Sequence, residues 1–215
     1  MSDAQPVRGT GEHRSGETAP AKRRLRLSSG RIQVGNVPLF SAPLIETERL
    51  TLRHFRAHDL DTFAETLADP NVVRHIGGEP NDREDAWRKM LTGAGFWALI
   101  GIGMWAVERR SDHRLIGHVG LFDFQRDMQP NITGEPEMGW VFNPVAHGQG
   151  FATEACLAAL EWFDRTQPPV SIPAIIAIKN EASMRLAERL GFERQPDATY
   201  RDEPIGFFRR PLQRG

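Results

Sequence analysis

The chain has 215 residues, 40% hydrophobic and 26% charged, which is enough apolar content for one buried core plus an extension. A net charge of −1 excludes a global attraction to nucleic acid, so no sequence-specific nucleic-acid binding is expected. The single cysteine excludes an internal disulfide, which is compatible with a reducing cytoplasm, the expected location.

The first 37 residues carry seven Lys or Arg against three acids, with few large apolar side chains. The expected organisation is a disordered basic extension over residues 1–40 followed by one domain over 41–215. The run KRRLR at 22–26 reads as a solvated tail in preference to an RNA contact, and the segment lacks the apolar stretch of about 7–15 residues that a signal peptide needs. Glu48 to Phe55 alternates like an edge strand, and Ala57 to Ala68 follows as a helix with Leu60, Phe63, Ala64 and Leu67 inward. The next helix starts after Asn81. From Met90 to Val107 no charge occurs, but Gly93, Gly95, Gly101 and Gly103 interrupt the run, which is short for a membrane span of about 20 residues. It reads as a helix end, a turn and the start of a strand, and no membrane is expected. Met104 to Glu108 and Leu115 to Phe124, joined by a polar turn near Ser111 and Asp112, make a hairpin. Glu137 to Asn143 is a strand closed by Pro144. The helix after Gly150 buries Ala152, Ala155, Cys156, Ala159, Leu160 and Phe163, and a strand from Ala174 to Ile178 follows. A second helix opens at Asn180, a good N-cap, and stops at Gly191; a last strand pair lies near Ile205 to Arg209. Antiparallel strands followed by a helical crossover imply an α/β chain built on a mixed sheet.

The stretch HGQGFATEA, positions 147–155, sets a glycine-spaced turn against the first turn of a helix. Gly148 and Gly150 let the backbone approach a ligand, and free N–H groups at a helix start suit a phosphate. A Walker loop is excluded because Phe151 and Ala152 stand where Lys and Ser or Thr would follow. A dinucleotide fingerprint lacks its third glycine and its distal acid.

This stretch resembles motif A of the GNAT superfamily of acyl-CoA-dependent N-acyltransferases, with Gly150 and Ala152 in its last two places and His147 where Arg or Gln is usual. NEASMRLAERLGFE, positions 180–193, is similar to motif B, and FATEA looks most like the RimJ/RimL-type subgroup that acetylates ribosomal protein N-termini. The resemblance covers about positions 44 to 212. It implies a GNAT fold, a central mixed and mostly antiparallel sheet flanked by helices, with acetyl-CoA as cosubstrate and an amine acceptor, a peptide N-terminus or a small amine, as partner. A homodimer is compatible with it. The implied acetyl-CoA contacts are the strand Met138, Gly139, Trp140, Val141 and Phe142, the cradle His147, Gly148, Gln149, Gly150, Phe151, Ala152 and Thr153, and Asn180 and Ser183. The motif strand and the strand after its helix splay apart in that family, and the pantetheine arm enters the gap. His147 would offer its backbone N–H, while its side chain carries a full charge only below about pH 6.5.

Amine acetylation needs a proton acceptor, a polarised thioester and a donor for the leaving thiolate. Glu137 is the candidate base; the alternative is a solvent-facing strand carboxylate or one paired with an arginine. The family often places the thiolate's acid, a Tyr, on the motif-B helix, but the one tyrosine here, Tyr200, lies beyond it. Ser183 is nominated instead, against a hydroxyl that merely satisfies a helix-end N–H. Asn180 reads first as a cap, Glu154 as a helix-dipole and capping residue, and Cys156 as core. Trp97, Trp105 and Trp140 read as core or pocket wall. The seven histidines show no ligand spacing, so no metal is inferred. Deprotonating a lysine near pKa 10.4 at pH 7 costs about 4.6 kcal/mol, against about 1 kcal/mol for an α-amine near 7.7, so one modest base suits an N-terminus. The resemblance implies an acceptor pocket at about positions 57 to 100. The rivals are a non-catalytic acyl-CoA-binding module and an RNA- or ribosome-associated adaptor using the basic tail.

Overall fold

The computed structural model describes residues 41–212 and, ahead of them, the backbone of two short strands. β1 (Arg26–Ser28) and β2 (Arg31–Gln33) pair antiparallel, with Leu27 opposite Ile32, within a unit spanning Met1–Pro38. The disorder expected for residues 1–40 otherwise lies outside the described residues.

In the main unit, β3 (Ile45–Glu46), β4 (Leu50–Arg53), β5 (Met104–Arg109), β6 (Arg114–Phe122) and β7 (Glu137–Phe142) form one antiparallel sheet in chain order. Between β4 and β5 lie α1 (Leu60–Ala68), α2 (Pro70–Val73) and α3 (Arg83–Ile100). A crossover helix, α4 (Phe151–Thr166), leads to β8 (Ile172–Ala177), and α5 (Glu181–Arg189) leads to β9 (Glu193–Arg194), β10 (Ala198–Tyr200) and β11 (Glu203–Arg210). β11 pairs with β8 on one side and with β9 and β10 on the other. The expected GNAT fold is thus built, with the crossover joining two antiparallel sheets. β3, α2 and β9, each two to four residues long, are too short to leave a periodic signal.

The helix expected from Ala57 begins as a 3-10 turn, Ala57–Asp59, because the Asp59 carboxylate turns back to the Arg56 N–H at 2.7 Å. The uncharged run resolves as expected: α3 ends at Gly101, which has φ +74, and β5 starts at Met104. No helix among the described residues is long and apolar enough to cross a membrane.

Both faces of the larger sheet are covered. Along β5, Trp105 and Val107 join the cluster packed under α4, with Ala155, Cys156, Ala159, Leu160 and Phe163, while Met104 and Ala106 join Phe63, Leu67, Ala86 and Met90 beneath α1 and α3. Double coverage is why these strands read as near-continuous apolar runs. Gly93 lets α3 approach closely, since a Cβ there would sit 2.2 Å from the Met104 Cε. Trp97 and Trp105 are core, as expected, edge to face with centroids 4.5 Å apart.

Candidate active site

β7 pairs with β6 from Glu137 opposite Phe122 to Phe142 opposite Gly117, and its other edge carries no ladder partner among the described residues. β8, the strand that follows the crossover helix, sits in the other sheet. The two strands touch without sharing a ladder. An open strand edge offers N–H and C=O groups to an amide-bearing chain laid along it.

The chain leaves β7 through a 3-10 turn at Pro144–Ala146, capped by Asn143, whose Oδ1 accepts from the Val145 N–H at 3.1 Å. Gly148 and Gly150 follow with φ +73 and +80, conformations that glycine adopts without strain, and Gly150 is the N-cap of α4. Among the described residues, none of the six backbone N–H groups from Gly148 to Thr153 donates to a protein acceptor; the first intrahelical bond is Glu154 N–H to the Gly150 carbonyl at 3.1 Å. Six consecutive unpaired donors at a helix start make an anion cradle. His147 contributes none of them: its N–H is donated to the Pro144 carbonyl at 3.0 Å and its Nε2 lies 3.1 Å from the Phe142 carbonyl. That corrects the expected backbone contact, because the 3-10 turn claims the donor first.

Arg49 was not foreseen at this site. Its Nη1 donates to the Gln149 carbonyl at 2.9 Å, and its guanidinium lies 4.6 Å from the Phe151 ring centroid. Glu154 is the anchor: it accepts from the Thr47 hydroxyl at 2.6 Å, the Arg49 N–H at 2.9 Å and the Arg49 Nε at 2.7 Å. Burial works against the ionised form of Glu154, but these donors outweigh it and hold its pKa below the usual carboxylate range. Glu154 thus ties the first turn of α4 to the β3–β4 turn and makes no side-chain cap, contrary to the capping role expected. No sequence signal connects these partners.

Strand alternation divides β7. Val141 packs into the cluster beneath α1 and α3, so Glu137 and Gly139, of the same parity, share that face, whereas Met138 and Phe142 belong to the α4 cluster and half-buried Trp140 packs against it. Glu137 is 5% exposed, which excludes the solvent-facing alternative. It is bound at both oxygens by Arg126, Nε to Oε2 at 2.5 Å and Nη2 to Oε1 at 2.9 Å. Burial raises its pKa, and Arg126 only partly reverses this. Arg126 in turn lies 4.7 Å from the ring centroids of both Phe124 and Tyr200. A cavity of about 540 Å³ adjoins it, lined in part by Phe124, Arg126, Asp127, Tyr200 and Asp202. None of its lining falls within positions 57 to 100, where the acceptor pocket was expected; a second hollow of about 430 Å³, beside Glu65 and Asn81, does.

After β8, Asn180 caps α5, its Oδ1 accepting the Ser183 N–H at 3.1 Å. The Ser183 hydroxyl does not satisfy a helix-end N–H; its Oγ accepts from the Trp140 indole Nε1 at 3.2 Å. Cys156 is fully buried, and burial pushes its thiol pKa up, so it is core.

Residues 49–193, more than half the chain, match the acetyltransferase (GNAT) domain. The uncharacterized N-acetyltransferase YnaD of Bacillus subtilis (strain 168) is 29% identical over 173 residues, covering 80% of this chain and 89% of that protein. The crystal structure of an acetyltransferase from Agrobacterium tumefaciens str. C58 superposes with a TM-score of 0.67 at 27% identity, over 82% of this chain and 98% of that one. Aminoglycoside acetyltransferase AAC(6')-Ib in complex with coenzyme A has the same fold at 20% identity, with a TM-score of 0.62 over 75% of this chain and 94% of that one.

Proposed function

The chain belongs to the GNAT acetyltransferase family and is an acyltransferase, and we propose that it moves an acetyl group from acetyl-CoA to a primary amine by direct attack in a ternary complex. The preferred acceptor is the α-amine of a protein N-terminus, in the manner of the RimJ/RimL-type enzymes. The observation that carries this reading is the run of unpaired N–H groups from Gly148 to Thr153 at the end of a strand with an open edge.

The residues fit acetyl-CoA on two counts. The cradle takes a pyrophosphate, and the free edge of Met138–Phe142 takes the amides of the pantetheine arm as a strand partner would. When bound, acetyl-CoA supplies a thioester carbonyl: the amine nitrogen forms the amide bond, the C–S bond breaks and its electron pair stays on sulfur. Glu137 takes the proton that the nitrogen loses, directly or through water, and its raised pKa makes it a better base than an ordinary carboxylate. Arg126 must loosen one of its two bonds for that transfer. Ser183 donates its hydroxyl hydrogen to the sulfur and so stabilises the thiolate before solvent protonates it. One carboxylate of modest basicity favours an acceptor near pKa 7.7 over a lysine near 10.4, a difference of about 3.7 kcal/mol at neutral pH.

The test is thiol release from acetyl-CoA with N-terminal peptides, lysine peptides, amino acids and aminoglycosides, run beside CoA calorimetry. Release with N-terminal peptides supports the proposal. Release with aminoglycosides alone moves the acceptor to small amines, and CoA binding without release by any acceptor overturns the reading in favour of a binding module.

A further inference from the structure

We propose that Trp140 is a positioning residue: its indole N–H fixes the Ser183 hydroxyl so that the hydroxyl hydrogen points to the sulfur of bound CoA. The inference rests on the donor role proposed for Ser183.

An indole nitrogen is a donor with no acceptor capacity. The 3.2 Å contact between Trp140 Nε1 and Ser183 Oγ therefore has one polarity: tryptophan gives and serine receives. That bond occupies a lone pair of Oγ and leaves the O–H free to turn. Among the described residues no acceptor takes this hydrogen. The backbone N–H of Ser183 is already held by Asn180, so the residue does not need its hydroxyl for capping. What remains is a hydroxyl with one lone pair committed and its hydrogen unassigned, bonded to β7 from a helix that follows β8, two strands that share no ladder.

Accepting a hydrogen bond also polarises a hydroxyl and makes it the stronger donor. Trp140 is held for this task, half-buried on the β7 face that packs against the α4 cluster, so its ring is braced. Ser183 stands in the first turn of a capped helix. The two supports belong to different sheets' flanks, and the bond sets their relation at the place where the leaving sulfur is expected.

The experiment titrates the thiol of CoA bound to the full chain, following thiolate by ultraviolet difference absorbance, with no acceptor needed. A donor on sulfur lowers the bound thiol pKa; Ser183→Ala is expected to raise it by about one unit, equivalent to one charge-assisted hydrogen bond. Trp140→Phe, which keeps the ring and removes the donor, is expected to recover at least a third of that rise, and the double variant to match Ser183→Ala. Trp140→Tyr, which keeps a donor on an aromatic ring, is the second variant should Trp140→Phe fold poorly; it is expected to stay nearer wild type than Trp140→Leu. A wild-type thiol pKa in Trp140→Phe, alongside a raised one in Ser183→Ala, overturns the positioning role and leaves the Ser183 proposal standing. No change in Ser183→Ala overturns both, and absence of CoA binding by the wild type overturns the function proposed above.

Discussion

Arg49 Nε donates to Glu154 Oε2 at 2.7 Å across 105 positions of chain, and the same guanidinium reaches the Gln149 carbonyl inside the glycine turn at 2.9 Å. The cradle is thus held from the sheet side by a cation whose side chain is 43% exposed. Arg49→Met is expected to weaken CoA binding about three- to tenfold, because a half-exposed pair is worth only about 1 kcal/mol. Its effect on kcat at saturating acetyl-CoA should be below about twofold. Calorimetry with CoA beside steady-state kinetics separates the two, and an unchanged CoA affinity removes Arg49 from the site.

Glu137→Gln is isosteric, keeps one oxygen for Arg126, and removes the base. A fall in kcat of about a hundredfold is expected, with CoA affinity held within about twofold. The pH profile carries the sign. Burial raises the pKa of Glu137, so wild-type activity should fall on the acid side at a pH above the ordinary carboxylate value of about 4.3. The variant should lose that limb, and a profile that keeps it assigns the limb to another group.

What could be read from the sequence was what is local. The N-cap bond from Asn180 to Ser183 spans three positions, and the cradle is six successive residues, so spacing alone announced both. The pairs that define the chemistry span 11 positions for Arg126 and Glu137, 43 for Trp140 and Ser183, and 105 for Arg49 and Glu154. Each of these depends on which strands neighbour which, and hydrophobic periodicity does not carry that information. His147 shows the same limit at short range: its N–H looked available until the 3-10 turn at Pro144 took it.

Gly150 lies at φ +80, and a Cβ there would meet only the Arg49 Nη2, at an ordinary 3.5 Å. The cost of Gly150→Val is therefore conformational rather than steric, about 1–2 kcal/mol for a β-branched residue in left-handed backbone. CoA affinity is expected to fall about tenfold as the turn relaxes toward negative φ. Gly150→Asn, which tolerates that region, should fall less. Equal losses in the two variants, measured by calorimetry, would show that backbone conformation at 150 is not what shapes the cradle.

Away from the cradle, Arg53 is 3% exposed and bridges Asp59 at 2.8 Å from both terminal nitrogens and Glu108 at 2.6 Å from Nε. Arg53→Met takes the bidentate partner from Asp59, which keeps only the Arg56 N–H and the more distant His58, and leaves Glu108 with His113 Nδ1 at 3.0 Å and Arg56 at 3.8 Å; it should destabilise the fold by about 3 kcal/mol at pH 7. Burial raises both acids' pKa values, but Arg53, helped by the Arg56 N–H at Asp59 and by His113 at Glu108, more than reverses this and holds them below the usual range. Their stabilising contribution is present at neutral pH and lost as pH falls through those lowered values. The gap between wild type and variant should therefore narrow in strong acid, as read from urea midpoints at pH 7 and pH 3; a constant gap would mean that the loss is packing alone.

His118 sits on β6 with its ring 5.3 Å from that of Phe63, and its Nδ1 is buried without a hydrogen-bond partner. Burial lowers its pKa to about 4, with nearby Lys89 acting in the same direction. The unfolded chain binds a proton near pH 6.5 that the folded chain refuses, so stability should decline as pH falls from about 6.5 towards 4. Full burial would make that decline about 3 kcal/mol, and it should be smaller because His118 is only half-buried. His118→Phe keeps the aromatic contact with Phe63 and removes the proton site. Its urea midpoint should vary less than wild type across this window while matching or exceeding it at pH 5. An identical slope in the two proteins would place the acid sensitivity elsewhere, and the buried carboxylates around Arg53 would be the first groups to test.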